Sequence, residues 1–494
     1  MCKSIFEIKF FKKEKNMKTK RNNLLRILCL GIVILMLLPM VMSCKDKESN
    51  ETETQAVVAD EYLDDLGAYD FGGVDFVVLS VESQEGTYTL FDIQEYNDSI
   101  LDRSVYKRNR EIEQRFNFKF DAHTEKQYGK CIDALTLQAS SGEHTYDLIE
   151  CINRAAYSAA ISGQILPVSA LTKLDTTKDY YLQDINKMGS INGKMFLAYS
   201  DLSIYTFQRA ACLAFNKNMA TDNQLGDLYA MVENNTWTYE EMYKMARQAT
   251  RFDGDGKTEV YGMYGQGDYI LTTIYLAAGE NLIENNNGKL EFNIGKNQKL
   301  DTITRQYLTE YDAGYLGYEL NYNDETWNDN FINSKALFNG TVIGKLFLLR
   351  GISEFDYGVL PWPKYDAEQE QYYSRVIDAW LHVVPTTCPD AEKASVILEA
   401  LAAGSSKYVF PAYYENALTG QVVRDYQSVE MLELIRSNRV FDWGDITWAT
   451  TIRTPILTHV YGSRKMTLAS LYGTIRTQVN TLIEEAYAGA AKLQ

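Results

Sequence analysis

The residues that most invite a chemical interpretation are the histidines and one acidic, glycine-rich stretch near the middle of the chain. The histidines are His123, His144, His382 and His459. None begins an H-E-x-x-H motif and no two lie four residues apart, so the sequence lacks a local signature of metal-assisted hydrolysis. No G-x-S-x-G nucleophile elbow occurs either. Catalytic residue types are present, but not at the spacings that local catalytic motifs require.

The stretch DGDGKTE, residues 253–259, resembles two ligand-binding loops without completing either. Its GKT ends like a phosphate loop, but the glycine that such a loop needs five positions before Gly256 is replaced by Arg251. Aligned with a calcium loop, it supplies Asp253, Asp255 and Glu259. Positions 1 and 12 of that loop, where carboxylates belong, are an arginine and a glycine. A polar turn therefore fits better, calcium is a weaker candidate, and no cofactor is predicted.

Neither paired carboxylates nor nucleic-acid binding gives a specific signal. Glycoside hydrolases bring two carboxylates together from distant positions, and 66 acidic residues leave no particular pair to nominate. The net charge of −17 argues against a nucleic-acid partner, because such binding depends on Lys and Arg replacing counterions. We predict no catalytic residue and no nucleic-acid partner.

The N-terminus is predicted to be a secretion signal, residues 1–43, of which residues 1–16 are expected to precede the true start. Residues 17–26 are basic and residues 27–42 form an apolar run of signal-peptide length. The run ends in VMSC, which resembles a bacterial lipobox, so Cys44 is the predicted lipidation site. A plain transmembrane anchor is the alternative. Polar residues follow, and we predict a disordered tether over residues 44–68.

The internal cysteines leave their redox state open. They are Cys131, Cys151, Cys212 and Cys388. None belongs to a C-x-x-C pair, so there is no zinc or redox signature. One disulfide formed outside the cell and buried free thiols are both compatible with the sequence.

Short β-rich runs alternate with helical patterns along the folded body. Strand character is found in residues 74–81, 116–123 and 146–152. Residues 102–116 place Val105, Ile112 and Phe116 on one face of a helix. This alternation predicts α/β layers with a mainly parallel sheet.

The stretch NNTWTYEEM, which begins at residue 234, predicts a helix start. Thr238 lies where an N-cap belongs and Glu241 follows three residues later, which is a capping box. Trp237 and Met242 flank it as a hydrophobic staple. We interpret Trp237 as a core residue at a helix entry in preference to a ligand-stacking residue.

Several segments together resemble one family. They are YKRNREIEQRFN (106–117), AYSAAISGQILPVSAL (156–171), NGKMFLAYSDL (192–202), LAFNKNM (213–219), NTWTYEEM…DGDGKTEVYGM (235–263), FDYGVLPWPKYDAEQEQYYS (355–374) and FPAYYENALTGQVVRDYQSVEMLELI (410–435). In this order and spacing the chain resembles an extracellular solute-binding lipoprotein of bacterial ABC import systems, of the carbohydrate-binding type found in Gram-positive gut bacteria. The lipobox-like VMSC points to the same class.

The resemblance implies an α/β fold of the two-lobed, periplasmic-binding-protein-like type II class, with a cleft between the lobes. Residues 69–202 and 380–438 would form lobe 1, and residues 203–379 and 439–494 lobe 2. The chain would cross the hinge near residues 200–209, 375–380 and 439–448. Function would be closure of the lobes around a ligand.

The resemblance also suggests where the ligand lies. Sugar sites combine aromatic platforms with side chains that donate or accept hydrogen bonds in the plane of the ring. We expect such side chains at strand ends and hinge crossings, with Trp380 and Trp443 favoured as platforms. The candidates are Asn153, Arg154, Asp201, Tyr205, Arg209, Asp268, Tyr269, Trp380, Trp443 and Trp448.

The resulting hypothesis is a carbohydrate receptor without catalytic activity. It would be a monomer, anchored through lipid to the extracellular face of the cytoplasmic membrane, and would deliver its solute to an ABC permease. A sensor subunit of the same fold and a secreted glycoside-active enzyme are the alternatives. Peptides, opines and polyamines are alternative ligands.

Overall fold

The computed structural model describes residues 62–82, 91, 99–321, 325–349 and 355–493. The predicted signal peptide, Cys44 and most of the predicted tether lie outside these residues. In the part of the chain that is described, no helix is both long and apolar enough to cross a membrane.

The strands, numbered in chain order, are β1 Val74–Val81, β2 Phe118–Glu125, β3 Leu148–Ile152, β4 Ser190–Ile191, β5 Lys194–Met195, β6 Ala211–Asn216, β7 Arg251–Phe252, β8 Thr258–Gly265, β9 Ile283–Asn286, β10 Lys289–Phe292, β11 Ala336–Val342, β12 Tyr357–Leu360, β13 Ser374–Arg375, β14 Trp380–Val383 and β15 Arg439–Val440. The longer α-helices are Ile100–Phe116, Tyr128–Ser141, Asn153–Ile161, Tyr239–Ala249, Gln298–Asp312, Ala391–Gly404, Tyr426–Ser437 and Leu468–Lys492.

Shorter α-helices are Gln183–Met188, Tyr205–Gln208, Lys217–Asp222, Leu228–Glu233, Gly267–Ile270, Thr273–Leu276, Asp329–Ile332, Leu346–Leu349 and Arg453–Pro455. Helices of 3-10 type are Val168–Ala170, Glu325–Asn328 and Ile343–Lys345. Among the described residues, the segments Ser405–Val409, Ala412–Val422, Trp443–Thr447 and Ile456–Gly462 are π-helical.

The first sheet has the strand order β14-β3-β1-β2. β1 pairs in parallel with both β2 and β3, and β14 returns antiparallel to β3. The strands and the helix predicted around them are confirmed, with boundaries that differ by two residues in β2, β3 and the helix. Phe116 ends the helix and β2 begins at Phe118, because Asn117 takes the left-handed C-cap conformation with φ 50°. β1 turns Phe76 and Val78 to one apolar cluster and Leu79 and Val81 to another, so both faces of the sheet are covered.

The second sheet has the order β12-β6-β11-β8-β7. β11 runs parallel to β8 and antiparallel to β6, and β12 is also antiparallel to β6. In β6, Leu213 and Phe215 face one apolar cluster while Cys212 and Ala214 face the other. Each sheet is therefore a buried middle layer between two apolar layers.

Three chain segments run side by side between the two sheets. Val376 bridges Ala210, and its amide donates to the Val440 carbonyl at 3.1 Å. The Ile377 amide donates to the Arg209 carbonyl at 3.0 Å. β13 and β15 pair in parallel beside them. These segments coincide with the three predicted crossings, so the hinge is a hydrogen-bonded ribbon.

The helix Tyr426–Ser437 bears on the predicted lobe boundaries. Its Ser428 hydroxyl accepts a hydrogen bond from the Val359 amide of β12 at 3.0 Å. Just before the helix, Asp425 pairs with Lys217 at 2.6 Å. Residues 380–438, predicted to belong to the lobe of the first sheet, therefore also contact the edge of the second. The division into lobes stays a prediction.

The helix start near residue 238 is confirmed in part. The Thr238 hydroxyl caps the helix by accepting from the Glu241 amide at 3.5 Å. The reciprocal half of the predicted capping box is wrong, because the Glu241 carboxylate pairs with Lys244 at 3.1 Å instead. Trp237 is fully buried and its indole nitrogen donates to the Pro361 carbonyl at 3.0 Å. It is a core residue, as the sequence indicated.

The four internal cysteines are buried free thiols, which decides against a disulfide among them. Burial raises the pKa of the Cys131 thiol to about 12 and that of Cys388 to about 11. Burial also raises the pKa of Cys151 and Cys212. These thiols therefore stay protonated and behave as small apolar side chains.

Candidate ligand-binding site

Several predicted site residues lie at strand ends that face the hinge. Asn153 and Arg154 directly follow β3 and begin the helix Asn153–Ile161. Trp380 begins β14 and is paired with the last residue of β3. Asp268 and Tyr269 lie just beyond the end of β8, in the second sheet. Because strand ends of both sheets point to the same region, these side chains are brought close together.

Arg209, on the first hinge crossing, joins two tyrosines. Its guanidinium donates to the Tyr205 hydroxyl at 2.5 Å and to the Tyr269 hydroxyl at 3.3 Å. It also lies 4.8 Å from the centre of the Tyr205 ring, in a cation–π contact. The Tyr205 ring in turn meets Trp380 edge to face, with centroids 5.2 Å apart. Tyr269 in the second sheet is thus connected to Trp380 in the first.

The contacts continue into the first sheet. Trp380 meets Tyr128 edge to face at 5.9 Å, and the Arg154 guanidinium lies 5.7 Å from the centre of the Tyr128 ring. Arg154 Nη1 donates to Asp378 Oδ1 at 3.3 Å. Asp378 lies on the second crossing, directly before Ala379 and β14.

Arg453 links the two ends of this chain of side-chain contacts. Its guanidinium lies 3.8 Å from Asp378 and 3.4 Å from Asp268, measured between nitrogen and carboxylate oxygen. Asp268 directly precedes Tyr269, which contacts Arg209, so the contacts form a closed ring. We call this set the hinge ring; its members are Tyr128, Arg154, Tyr205, Arg209, Asp268, Tyr269, Asp378, Trp380 and Arg453.

The exposed part of the hinge ring is polar and aromatic. Tyr128 is 37% exposed, the Arg154 side chain 30%, and the Asp378 and Asp268 side chains 17% and 15%. Both carboxylates contact guanidinium groups, so their charge is partly neutralised within the ring. Such a surface offers in-plane hydrogen bonds together with an aromatic ring, which suits a hydroxyl-rich ligand better than a polycation.

Six of the ten predicted residues belong to the hinge ring, and sequence reasoning missed its other three members. Tyr128 follows β2 much as Asn153 follows β3, so the strand-end argument could have found it. Asp378 lies within the predicted second crossing, two residues before Trp380, so the argument from hinge crossings could have found it. Arg453 has no local signal, because it lies just beyond the third crossing and only the fold brings it to Asp268 and Asp378.

Asn153, Trp443 and Trp448 form a neighbouring cluster. The Asn153 side chain donates to the Tyr199 hydroxyl and accepts from the Thr447 hydroxyl at 3.2 Å. The two tryptophan rings lie 5.3 Å apart. Trp443 also donates from its indole nitrogen to the Met188 carbonyl at 2.9 Å. These contacts fix the third crossing against the helix that begins at Asn153.

The favoured aromatic platforms are covered in this structure. Trp380, Trp443 and Trp448 are 3%, 2% and 5% exposed. Trp443 also meets Tyr157 edge to face at 5.2 Å. All three rings pack against other aromatic rings, so Tyr128 is the more accessible aromatic surface of the site.

Asp201 lies apart from the hinge ring. Burial raises the pKa of its carboxyl, while a hydrogen bond with Ser406 and the charges of Arg439 and Arg436 act in the opposite direction. Its amide donates to the Tyr180 carbonyl at 2.9 Å.

The acidic stretch at residues 253–259 forms the turn between β7 and β8. The Asp253 carboxylate accepts from the amides of Asp255 and Lys257, each at 2.9 Å. Gly256 supplies the positive φ of 78° that the turn needs. Within the described residues, no group of three or more His, Cys, Asp or Glu, these or Glu259 included, is placed to hold a metal ion.

A cavity of about 610 Å³ lies beside the hinge strand β15. Its polar lining includes Asp184, Lys187 and Asn281, and Trp443 is the predicted site residue that borders it. The hinge ring residues do not line this cavity, so the two are separate features.

Comparison with known proteins shows the fold. No family model matches the sequence, and no curated protein matches it significantly. A cyclo/maltodextrin-binding protein complexed with maltotetraose shares 15% identity at a TM-score of 0.57, over 85% of this chain and 96% of that one. An ABC substrate-binding protein from Listeria monocytogenes, in complex with cycloalternan, shares 13% at 0.53, over 83% and 99%.

The GacH receptor of Streptomyces glaucescens, determined unliganded and with acarbose, shares 12% identity at a TM-score of 0.55, over 83% of this chain and 99% of that one. At such identities the likeness establishes fold alone. It confirms the predicted α/β, two-lobed, periplasmic-binding-protein-like type II architecture.

Proposed function

We propose that this protein is the substrate-binding component of an ABC importer. It captures a carbohydrate between its lobes by hinge closure and hands it to a membrane permease. The observation that carries this proposal is the hinge ring, which draws side chains from both sheets and from or beside all three crossings. A ligand that contacts these side chains would be sensitive to the angle between the lobes.

The carbohydrate class is supported by two independent considerations. The hinge ring presents hydrogen-bonding side chains with an accessible aromatic ring and paired charges. Of the solved structures that match over more than nine-tenths of their own length, three are described with maltotetraose, cycloalternan and acarbose, and one with glycerophosphocholine. We infer an oligosaccharide that binds and is released unchanged, with no catalytic step.

The remaining parts of the proposal rest on the sequence. Lipidation at Cys44 would hold a monomer at the extracellular face of the cytoplasmic membrane, beside its permease. Two acyl chains suffice for a stable anchor, since each buried CH₂ contributes about 0.8 kcal/mol.

The test uses residues 45–494 expressed without lipid. Melting temperature and tryptophan fluorescence are followed against maltotetraose, cycloalternan, acarbose and a wider glycan panel, with spermidine and a tripeptide as controls. A ligand at 100 times its Kd stabilises the folded state by about 2.7 kcal/mol, a readily measured shift.

The expected result is a shift with one glycan class, with that glycan recovered intact by mass spectrometry. Arg154→Ala and Arg209→Ala should weaken the shift, whereas Arg305→Ala, which removes a surface ion pair with Asp301, should not. A response to spermidine alone would overturn the carbohydrate assignment. Cleavage of the glycan would overturn the assignment as a receptor.

A further inference from the structure

Arg375, on β13, forms an ion pair with Asp445 that is closed to solvent. Its Nε lies 2.6 Å from Asp445 Oδ2 and its Nη2 lies 2.8 Å from Oδ1, and both side chains are 0% exposed. The two residues belong to the second and third crossings. The pair thus joins two of the crossing segments through a bidentate contact.

The third nitrogen of the same guanidinium points to a different element. Nη1 of Arg375 donates to the backbone carbonyl of Asp268 at 2.5 Å and to the Thr273 hydroxyl at 3.1 Å. That hydroxyl donates to the Tyr269 carbonyl at 2.7 Å. Arg375 therefore fixes the backbone of residues 268 and 269, whose side chains reach Arg453 and Arg209 in the hinge ring.

Stability alone does not account for this arrangement. Burying an ion pair costs desolvation that its attraction only roughly offsets, and apolar pairs of similar volume are often as stabilising. Each nitrogen of the Arg375 guanidinium has an acceptor, but one of the three is directed at the loop that carries two hinge ring residues. Unlike an apolar side chain, the guanidinium holds that loop in one orientation.

We propose that Arg375 is a positioning residue for ligand binding: held by Asp445, it orients residues 266–270 so that Asp268 and Tyr269 complete the hinge ring. This rests on the proposed function for its effect on affinity. Its effect on the loop does not depend on any ligand. Arg375 itself is buried and does not touch the ligand.

The test replaces the pair by apolar residues, Arg375→Met with Asp445→Leu, so that no buried charge is left unpaired. Thr273→Val is a milder second variant, which keeps the ion pair and removes the hydroxyl. The matched control is Arg115→Met with Asp64→Leu. That pair is also bidentate, at 2.8 and 2.7 Å, but it ties the N-terminal segment to the helix Ile100–Phe116.

The first measurement is hydrogen exchange of the full 45–494 chain without ligand. We expect amides of residues 266–273 to exchange at least tenfold faster in the double variant and severalfold faster in Thr273→Val, with no change there in the control. Unchanged exchange in Thr273→Val and in the double variant would overturn the proposal. If the double variant does not fold, Thr273→Val decides alone.

The second measurement is the Kd for maltotetraose. The proposal expects a rise of at least tenfold in the double variant and no rise in the control, although the control loses thermal stability. Faster loop exchange with an unchanged Kd would overturn the role in binding. If the unaltered protein binds no glycan at all, the proposed function fails, and the exchange experiment still decides whether Arg375 orients the loop.

Discussion

Asp378 lies on the second of the three segments that run side by side between the two sheets. One residue earlier, the Ile377 carbonyl accepts from Arg453 Nη1 at 2.9 Å. One residue later, the Ala379 carbonyl accepts from the Asn153 amide at 2.8 Å. Between them the Asp378 carboxylate is shared by Arg154 and Arg453. Asp378→Asn keeps the shape of this side chain and removes the charge that both arginines share.

The expected energetic effect of Asp378→Asn follows from the distances between the charged groups and from their exposure to solvent. Arg154 lies 3.3 Å and Arg453 3.8 Å from the Asp378 carboxylate. The exposed fraction of the side chain is 30% for Arg154, 9% for Arg453 and 17% for Asp378. Exposed pairs contribute about 0–1 kcal/mol and desolvated charged hydrogen bonds about 1.5–3 kcal/mol. These partly exposed contacts fall between the two ranges, so we expect the two ion pairs of Asp378 together to contribute about 1–2 kcal/mol. That is a factor of about 5–30 in an equilibrium constant.

The assay combines small-angle scattering of the ligand-free protein with the Kd for the glycan that binds best. Asp378→Asn should change the scattering-derived radius of gyration, because the two lobes lose a shared contact, and should weaken binding about 5–30-fold. The control is Asp312→Asn, which removes a surface partner of Arg464 at 2.6 Å. It should change neither quantity. An unchanged radius and an unchanged Kd in Asp378→Asn would refute the role of the shared Asp378 carboxylate in coupling the lobes to the ligand.

Three further predictions concern the body of the protein. Burial raises the pKa of Glu150 from 4.5 to about 7. Between these pH values the folded state keeps a proton that the unfolded state releases. The free energy of unfolding should therefore fall by about 3 kcal/mol as the pH rises from about 4.5 to 7. Glu150→Gln should flatten that part of the pH dependence of urea unfolding, and an unaltered profile would contradict it. The four buried thiols should react with Ellman's reagent only after denaturation, and a thiol that reacts in the native state would contradict the burial. Trp237→Phe loses the indole hydrogen bond to Pro361 and should lower the free energy of unfolding by about 1–3 kcal/mol without changing ligand affinity; lost affinity at unchanged stability would restore a stacking role.

Local patterns were sufficient for the elements that have strong periodicity. β1, the helix Ile100–Phe116 and the N-cap at Thr238 follow from side-chain alternation and from capping chemistry, which act over a few residues. The positions of the three crossings followed from the resemblance of ordered segments. Where a single backbone conformation decided a boundary, as at Asn117, the pattern was off by two residues.

The hinge ring could be predicted only in part, for a physical reason. Strand ends are visible in a sequence, so Arg154, Asp268 and Tyr269 were named. Arg154 and Asp378 are 224 residues apart, and nothing local indicates that their side chains meet. Likewise, the sequence cannot show that Trp380 has its faces covered, because this depends on which rings pack against it.

By itself, then, the sequence determined several of the strands and helices and the residue types available for binding, since these depend on short-range periodicity and steric preference, and its resemblance to a family indicated the segments that cross the hinge. Tertiary structure decided which charges are paired, which aromatic faces stay accessible and which thiols are buried. It also decided that Arg375 directs its third nitrogen at the Asp268 carbonyl. Those outcomes depend on distances and solvent exclusion between segments far apart in the chain, and they exist only once the two sheets and the hinge between them have formed.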